Sequence, residues 1–296
     1  MVGFVNAVLN WNGSHSKLRV ETFSTKQIHR KVFVMEVSKA PGSIRNTIAQ
    51  LKDGVQTCLS SRISRIEIQF PKDTSFGLED ANSGANLKIK VNDSELRSRE
   101  LAKLTYEMFR GTGLNIAVVF NEEISKRAAI ESWSKEEIPS MILAKELQKN
   151  AKSNDVLLCV NPKVKMLIQV QNVCRNEGDR VAVLLLNPDF CTVPWPNESL
   201  KQFFFDSFES AVYYSKIAID SEPKSASILY RKFPDDWTLC QKRGLGAPVV
   251  VQSWKDRPTE VEVENAVLES LKTGTDQKNP LSGLINSMSS LFPRKQ

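Results

Sequence analysis

Two carboxylates, Glu122 and Asp189, and three asparagines, Asn121, Asn161 and Asn187, each stand just after a short apolar run. They are the residues of this chain whose type and position could do chemistry. If the apolar runs are parallel strands, these polar groups gather outside the strands' carboxyl ends, where open α/β sheets bind ligands. Glu122 and Asp189 would then form an acid pair able to move a proton, and the asparagines would orient a polar substrate. The competing reading is local. Asn161-Pro162 places an amide acceptor and a residue without an N–H where a helix begins, and Asn187-Pro188 ends a strand; Asn before Pro is a stop-and-cap device that needs no ligand.

Other designs are excluded more firmly. Both histidines, His15 and His29, lie in the first 40 residues, so the body has no imidazole for a Ser-His or Cys-His couple and none for most zinc or non-haem iron sites. No G-x-G-x-x-G is present: Gly111/Gly113 has Ile116 at the third position, and Gly244/Gly246 has Val249. No phosphate-cradling G-x-x-x-x-G-K-[ST] occurs either. No catalytic residue, metal or cofactor is assigned. Five widely spaced cysteines, with no C-x-x-C, argue for a reducing compartment and against a zinc ribbon. Cys58, Cys159 and Cys174 fall in apolar segments and read as small hydrophobes, leaving Cys191 and Cys240 as the redox candidates.

The elements that must position the strand-end residues follow from hydrophobic periodicity. Ile44, Ile48, Leu51, Val55 and Leu59 lie on one face of a helix opened by Pro41 and Ser43. Arg65 to Phe70 alternates as a strand and ends at Pro71; residues 72–93 form a polar loop. A helix from about Asp93 turns Leu96, Leu101, Leu104 and Met108 inward and stops at Gly111. Leu114 to Phe120 is a buried strand. Helical material is expected over Glu122 to Trp133 and again after Pro139, through Met141, Leu143 and Leu147. Val156 to Val160 is a strand, Asn161-Pro162 starts a helix closed by Gly178, and Arg180 to Leu186 is a strand ended by Asn187-Pro188. Three parallel crossover units in series predict an α/β fold, a Rossmann-like, mostly parallel sheet flanked by helices on both faces. Phe203-Phe204-Phe205 marks either a helix with two inward aromatics or an exposed contact patch.

The texture then changes. Ala211 to Ile219, Ala226 to Phe233, Trp237 to Gln241 and Val249 to Trp254 read as consecutive strands separated by turns such as Glu222-Pro223, a C-terminal antiparallel meander with Trp237 and Trp254 in its core. A helix over Val261 to Leu271, with Gly274 beyond it, completes a single α/β domain over 41–272. In the tail, 273–296, Leu281, Leu284, Ile285, Met288, Leu291 and Phe292 make an apolar stripe suited to a membrane or partner contact.

Residues 1–40 carry six Lys/Arg against two acids, with hydroxyl residues between, the composition of an organelle transit peptide processed near Met35 to Ala40. The net charge of +6 belongs to the ends. Residues 41–270 hold 30 basic and 31 acidic groups, so no broad cationic surface awaits phosphates and no nucleic-acid partner is expected.

Several segments resemble a known family. Arg65-Ile-Glu-Ile-Gln-Phe-Pro71 after an amphipathic helix, the stretch Asp155 to Pro188, Phe208-Glu-Ser-Ala-Val-Tyr-Tyr214, Lys232-Phe-Pro-Asp-Asp-Trp237 and Asp256-Arg-Pro258 are similar to a plastid and cyanobacterial family defined as a domain of unknown function. The resemblance spans roughly residues 41–270. It implies chloroplast residence and an α/β body. One branch of that family comprises Low PSII Accumulation factors, needed for photosystem II, and another is the C-terminal domain of a chloroplast adenylate kinase. No phosphotransfer is implied here, since the kinase P-loop is missing. The expectation is a non-catalytic plastid auxiliary protein, in the stroma or peripherally on the thylakoid membrane. It would assist assembly or maintenance of a photosystem complex through contact with a thylakoid complex subunit or assembly factor. The alternative is a small-molecule or nucleotide-binding enzyme using the carboxyl-end cleft with Glu122 or Asp189 as acid or base; a mitochondrial protein of similar fold is a third option.

Overall fold

The computed structural model describes residues 40–41, 43–76, 93–133, 139–219, 222–241 and 248–276. The leader and the apolar stripe of the tail lie outside the described residues. The chain divides into two compact units. One comprises the residues up to Tyr214 together with Arg231–Asp235; the other comprises Ser215–Tyr230 and the residues from Asp236 onward.

The first unit begins with helix α1 (Ile44–Ser60), whose N-cap Ser43 accepts a hydrogen bond from the Asn46 N–H. It continues through β1 (Arg65–Gln69), α2 (Asp93–Met108), β2 (Ile116–Phe120), α3 (Glu123–Ser132), β3 (Ser140–Leu143), α4 (Leu147–Ala151), β4 (Val156–Val160), α5 (Val164–Glu177), β5 (Ala182–Leu186), α6 (Glu198–Ser207) and the start of β6 (Glu209–Ile219). The second unit holds most of β7 (Glu222–Lys232), then β8 (Trp237–Gln241), β9 (Val249–Trp254) and α7 (Glu260–Asp276). The strands are hydrogen-bonded in the order β3-β2-β4-β5-β1-β6-β7-β8-β9. Pairing is parallel from β3 to β6 and antiparallel among β7, β8 and β9.

β2 and β4 are buried at every position, as strands covered on both faces must be, and this is why they read as unbroken apolar runs. Their side chains alternate between two cores. Ile116, Val118, Phe120, Leu158 and Val160 pack with α1, α2 and α3. Ala117, Val119, Leu157 and Cys159 pack with α4, α5 and α6. In α1, Gly54 lies so close to β6 that a Cβ there would stand 2.4 Å from the Ala211 carbonyl oxygen, so no other residue fits.

Several expectations are corrected. The segment after Pro139 is not helical at first: Ser140–Leu143 is an edge strand parallel to β2, followed by a 3-10 turn over Ala144–Glu146 and an α-helix from Leu147. Four residues cannot display a period, so the strand was indistinguishable from the helix that follows. With it and with β6 the unit has five crossovers rather than three. β6 pairs in parallel with β1 after the intervening helix α6 and is hydrogen-bonded on its other side to β7, so it is the last parallel strand as well as the first of the consecutive C-terminal strands. Phe203-Phe204-Phe205 lies on α6, with Phe204 fully buried against Phe190 and Phe208. Glu222-Pro223 begins β7 and is not the turn itself. α7 runs past Gly274 to Asp276.

In the second unit Trp237 is buried, with the Arg257 guanidinium 5.2 Å from its ring centroid, whereas Trp254 opposite it on β9 is only half-buried. None of the five cysteines is in a disulfide; Cys191 is exposed, but Cys240 is buried with its thiol pushed up by desolvation, which removes it as a redox candidate.

Candidate cleft at the carboxyl ends of the parallel strands

Right-handed crossovers determine where an opening can form. β2 leads to β3 on one side of it, and β4 leads to β5 on the other, so a right-handed connection places α3 and α5 on opposite faces of the sheet. Between two neighbouring strands whose helices diverge in this way, the carboxyl ends are left uncovered. A cleft of about 240 Å³ lies there.

Its floor is Phe120 and Val160, the last residues of β2 and β4. Asn121, Glu122 and Asn161 line it, as do Ser125 from the first turn of α3 and Lys163 before α5. The first turns of α2 add Ser94, Glu95 and Arg99. Arg99 is only 2% exposed, an unusual position for a guanidinium.

Asn121 holds the turn that follows β4. Its Nδ2 donates to the Asn161 carbonyl (2.7 Å) and the Val160 carbonyl (3.3 Å), and its Oδ1 accepts from the Lys163 N–H (3.1 Å). Asn161 is not the cap of α5. Its φ of 46° puts it in the left-handed region, which Asn tolerates, and Lys163 is the N-cap, so Pro162 lies before the cap and not inside the helix. The Asn161 Oδ1 accepts instead from the Ser98 hydroxyl of α2 at 3.0 Å.

The two carboxylates do not meet. Glu122 ion-pairs with Lys163, and Asp189 pairs with Lys72 at 2.7 Å. β4 lies between their strands, β2 and β5. The Lys163 hydrogen bond, reinforced by its charge, holds the Glu122 carboxyl below the ordinary glutamate value. A general acid or base for neutral pH needs the opposite shift.

Asn187 and Asp189 do not line the cleft, a second correction. They belong to the neighbouring β5/β1 end, where Asn187 (φ 52°) accepts from the Phe70 N–H at 2.9 Å and its own N–H donates to the Ile68 carbonyl. The Gln69 Oε1 in turn accepts from the Asp189 N–H at 2.9 Å. These groups knit two strand ends together.

Sequence reasoning missed Ser94, Glu95, Arg99, Ser125 and Lys163. The available signal was the i, i+4 spacing of Glu95 and Arg99 beside the inward Ala102, a charged extension of an otherwise apolar helix stripe. Among the described residues no cluster of His, Cys, Asp or Glu could hold a metal ion, and no helix is long and apolar enough to cross a membrane.

Residues 41–265 match the model of a family described as Domain of unknown function (DUF1995). No curated protein and no solved structure matches the chain.

Proposed function

The chain belongs to the DUF1995 family, and on that premise we propose that it is a non-catalytic auxiliary protein of the plastid. In this reading it resides in the stroma or peripherally on thylakoids and assists assembly or maintenance of photosystem II. The finer likeness, to the Low PSII Accumulation factors rather than to the adenylate kinase branch, belongs to the same proposal. The observation that carries it is the state of the two acids at the strand ends. Each is tied to a lysine, they stand in different clusters, and Glu122 is shifted away from neutrality. An assembly factor needs a rigid surface and no acid–base pair. The basic, acid-poor leader and the near-neutral body support an imported protein that contacts other proteins.

The test is fractionation of a photosynthetic cell carrying the tagged full-length chain, with thylakoids resolved on native gels. The expected result is a form shortened by about 35–40 residues, as the leader composition implies, co-migrating with a photosystem II subcomplex. An uncleaved cytosolic protein overturns the reading, and so does a shortened form found only as a free stromal monomer.

A second reading, binding of a small molecule, is favoured by the cleft itself: it sits where the topology of an open sheet leaves one, and it is lined by polar side chains. The two readings are compatible if the ligand regulates the factor.

A further inference from the structure

We propose that the cleft between β2 and β4 takes a small zwitterion of the free amino-acid class. The proposal rests on the small-molecule reading of this cleft and specifies its ligand.

Size sets the first bound. A volume of about 240 Å³ corresponds to roughly eight water molecules at about 30 Å³ each. It is smaller than the roughly 300–1,000 Å³ of pockets for drug-sized ligands. That size favours a compact metabolite over a nucleotide, as does the lack of a G-x-x-x-x-G-K-[ST] motif in the sequence.

Charge sets the second. The lining carries two cations, Arg99 and Lys163, and two anions, Glu95 and Glu122. A simple anion would meet two carboxylates, and a simple cation would meet the guanidinium. A ligand with one charge of each sign meets a partner for both. The two cations lie at different depths. Arg99 is almost fully buried, whereas Glu122 and Lys163 are more than half exposed at the mouth.

Donors set the orientation. The first turn of α3 enters the cleft through Ser125, and neither its N-cap Glu122 nor the α5 N-cap Lys163 makes a side-chain capping bond. The amides of residues 123–125 have no acceptor within their own helix. Together with Arg99 and the Ser125 hydroxyl they suit a carboxylate. The Glu95 carboxylate then receives the ammonium.

The experiment is heat unfolding of the full chain against the twenty free amino acids, with ethylamine, propionate, inorganic phosphate and sorbitol as comparison probes. The expected result is a saturable rise in Tm with at least one amino acid, and binding at least about tenfold weaker when either its carboxylate or its ammonium is removed. Glu95→Gln weakens that binding about tenfold or more, and Ser125→Phe, which fills the cleft from its wall, abolishes it. Ser125→Val serves the same purpose should the larger residue fail to fold. Propionate or phosphate binding as tightly as any amino acid overturns the zwitterion but keeps the cleft as a small-molecule site. Sorbitol binding that Ser125→Phe removes has the same meaning. No saturable shift with any probe overturns both. A shift that survives Ser125→Phe places the ligand elsewhere and also overturns the proposal.

Discussion

The β2/β4 end and the β5/β1 end of the parallel sheet are built from the same vocabulary, yet one is open and the other laced. Each has an asparagine in the left-handed region, Asn161 at φ 46° and Asn187 at φ 52°, and each has a carboxylate paired with a lysine. At β5/β1 the polar side chains bond across to backbone groups of the neighbouring strand end, Asn187 to Phe70 and Gln69 to Asp189. Phe76 then packs edge-on to Phe70 at 5.4 Å. At β2/β4 the bracing residue is Asn121, which bonds the Val160 carbonyl at the end of β4 and also holds the Asn161–Lys163 turn beyond it. The space between α3 and α5 is thereby kept.

If the β2/β4 end is open by construction and not by fraying, its strand must be as firm as the rest. Cys159, two residues before Asn161, tests this: it is fully buried and its thiol is pushed up, first by desolvation. Cys58 and Cys174 are likewise pushed up to about 12 and about 11 by burial. At pH 8 the native protein is expected to label at Cys191 at least about a hundredfold faster than at Cys159, because the thiolate is the nucleophile and a raised pKa depletes it. Mass spectrometry of timed alkylation reads the ratio. Comparable rates would make the open end a locally unfolded one.

The laced end is expected to matter more for stability. Asn187→Ala removes the acceptor for a buried Phe70 N–H, a loss of about 1–3 kcal/mol. It also puts alanine at φ 52°, where a Cβ without a local hydrogen bond costs a further 1–2 kcal/mol or so. Urea unfolding should show a fall of about 2–5 kcal/mol. Asn187→Gly, which relieves the backbone term, should recover about 1 kcal/mol of it. Asn121→Ala, in a half-buried position that water can reach, is expected to cost about 1 kcal/mol, as loss of a helix-end acceptor usually does. Equal costs for Asn187→Ala and Asn121→Ala would erase the distinction between the two ends.

How far this was readable in the sequence differs between strand cores and strand ends. β4, β8 and β9 matched their expected limits to the residue, because turn residues bound each of them. β3 was lost, since four residues at the sheet edge carry no period of their own. Of the proposed cleft, Asn121, Glu122 and Asn161 came from two strands that are neighbours in space. Asn187 and Asp189 follow a strand that is not beside β2. Strand order is the missing information: local sequence records that a strand ends, but a parallel sheet with long crossovers is ordered by contacts far apart in the chain. Arg99 was missed for a related reason, since α2 reaches the cleft only by passing over β4 and β5.

The smallest effect is the most pointed. Glu122 at the open end and Asp189 at the laced end should be nearly dispensable, and for the same reason. The Glu122–Lys163 pair is solvent-exposed on both sides, so screening leaves it worth a few tenths of a kcal/mol or so at pH 7. Because the folded-state pKa of Glu122 lies below its unfolded value, that contribution is present above the ordinary glutamate pKa and is lost as the pH falls through the folded one. Glu122→Gln should therefore lower stability slightly at pH 7 and leave it unchanged well below pH 4.5, the ordinary value from which Glu122 is depressed. Asp189→Asn loses only the Lys72 pair while keeping a residue that accepts φ 48°. Paired urea titrations at neutral and acid pH measure both. A cost above about 1.5 kcal/mol for Glu122→Gln at pH 7 alone would mean that its ion pair is desolvated. The β2/β4 end would then close over in solution, and the contrast between the two ends would be one of state and not of construction.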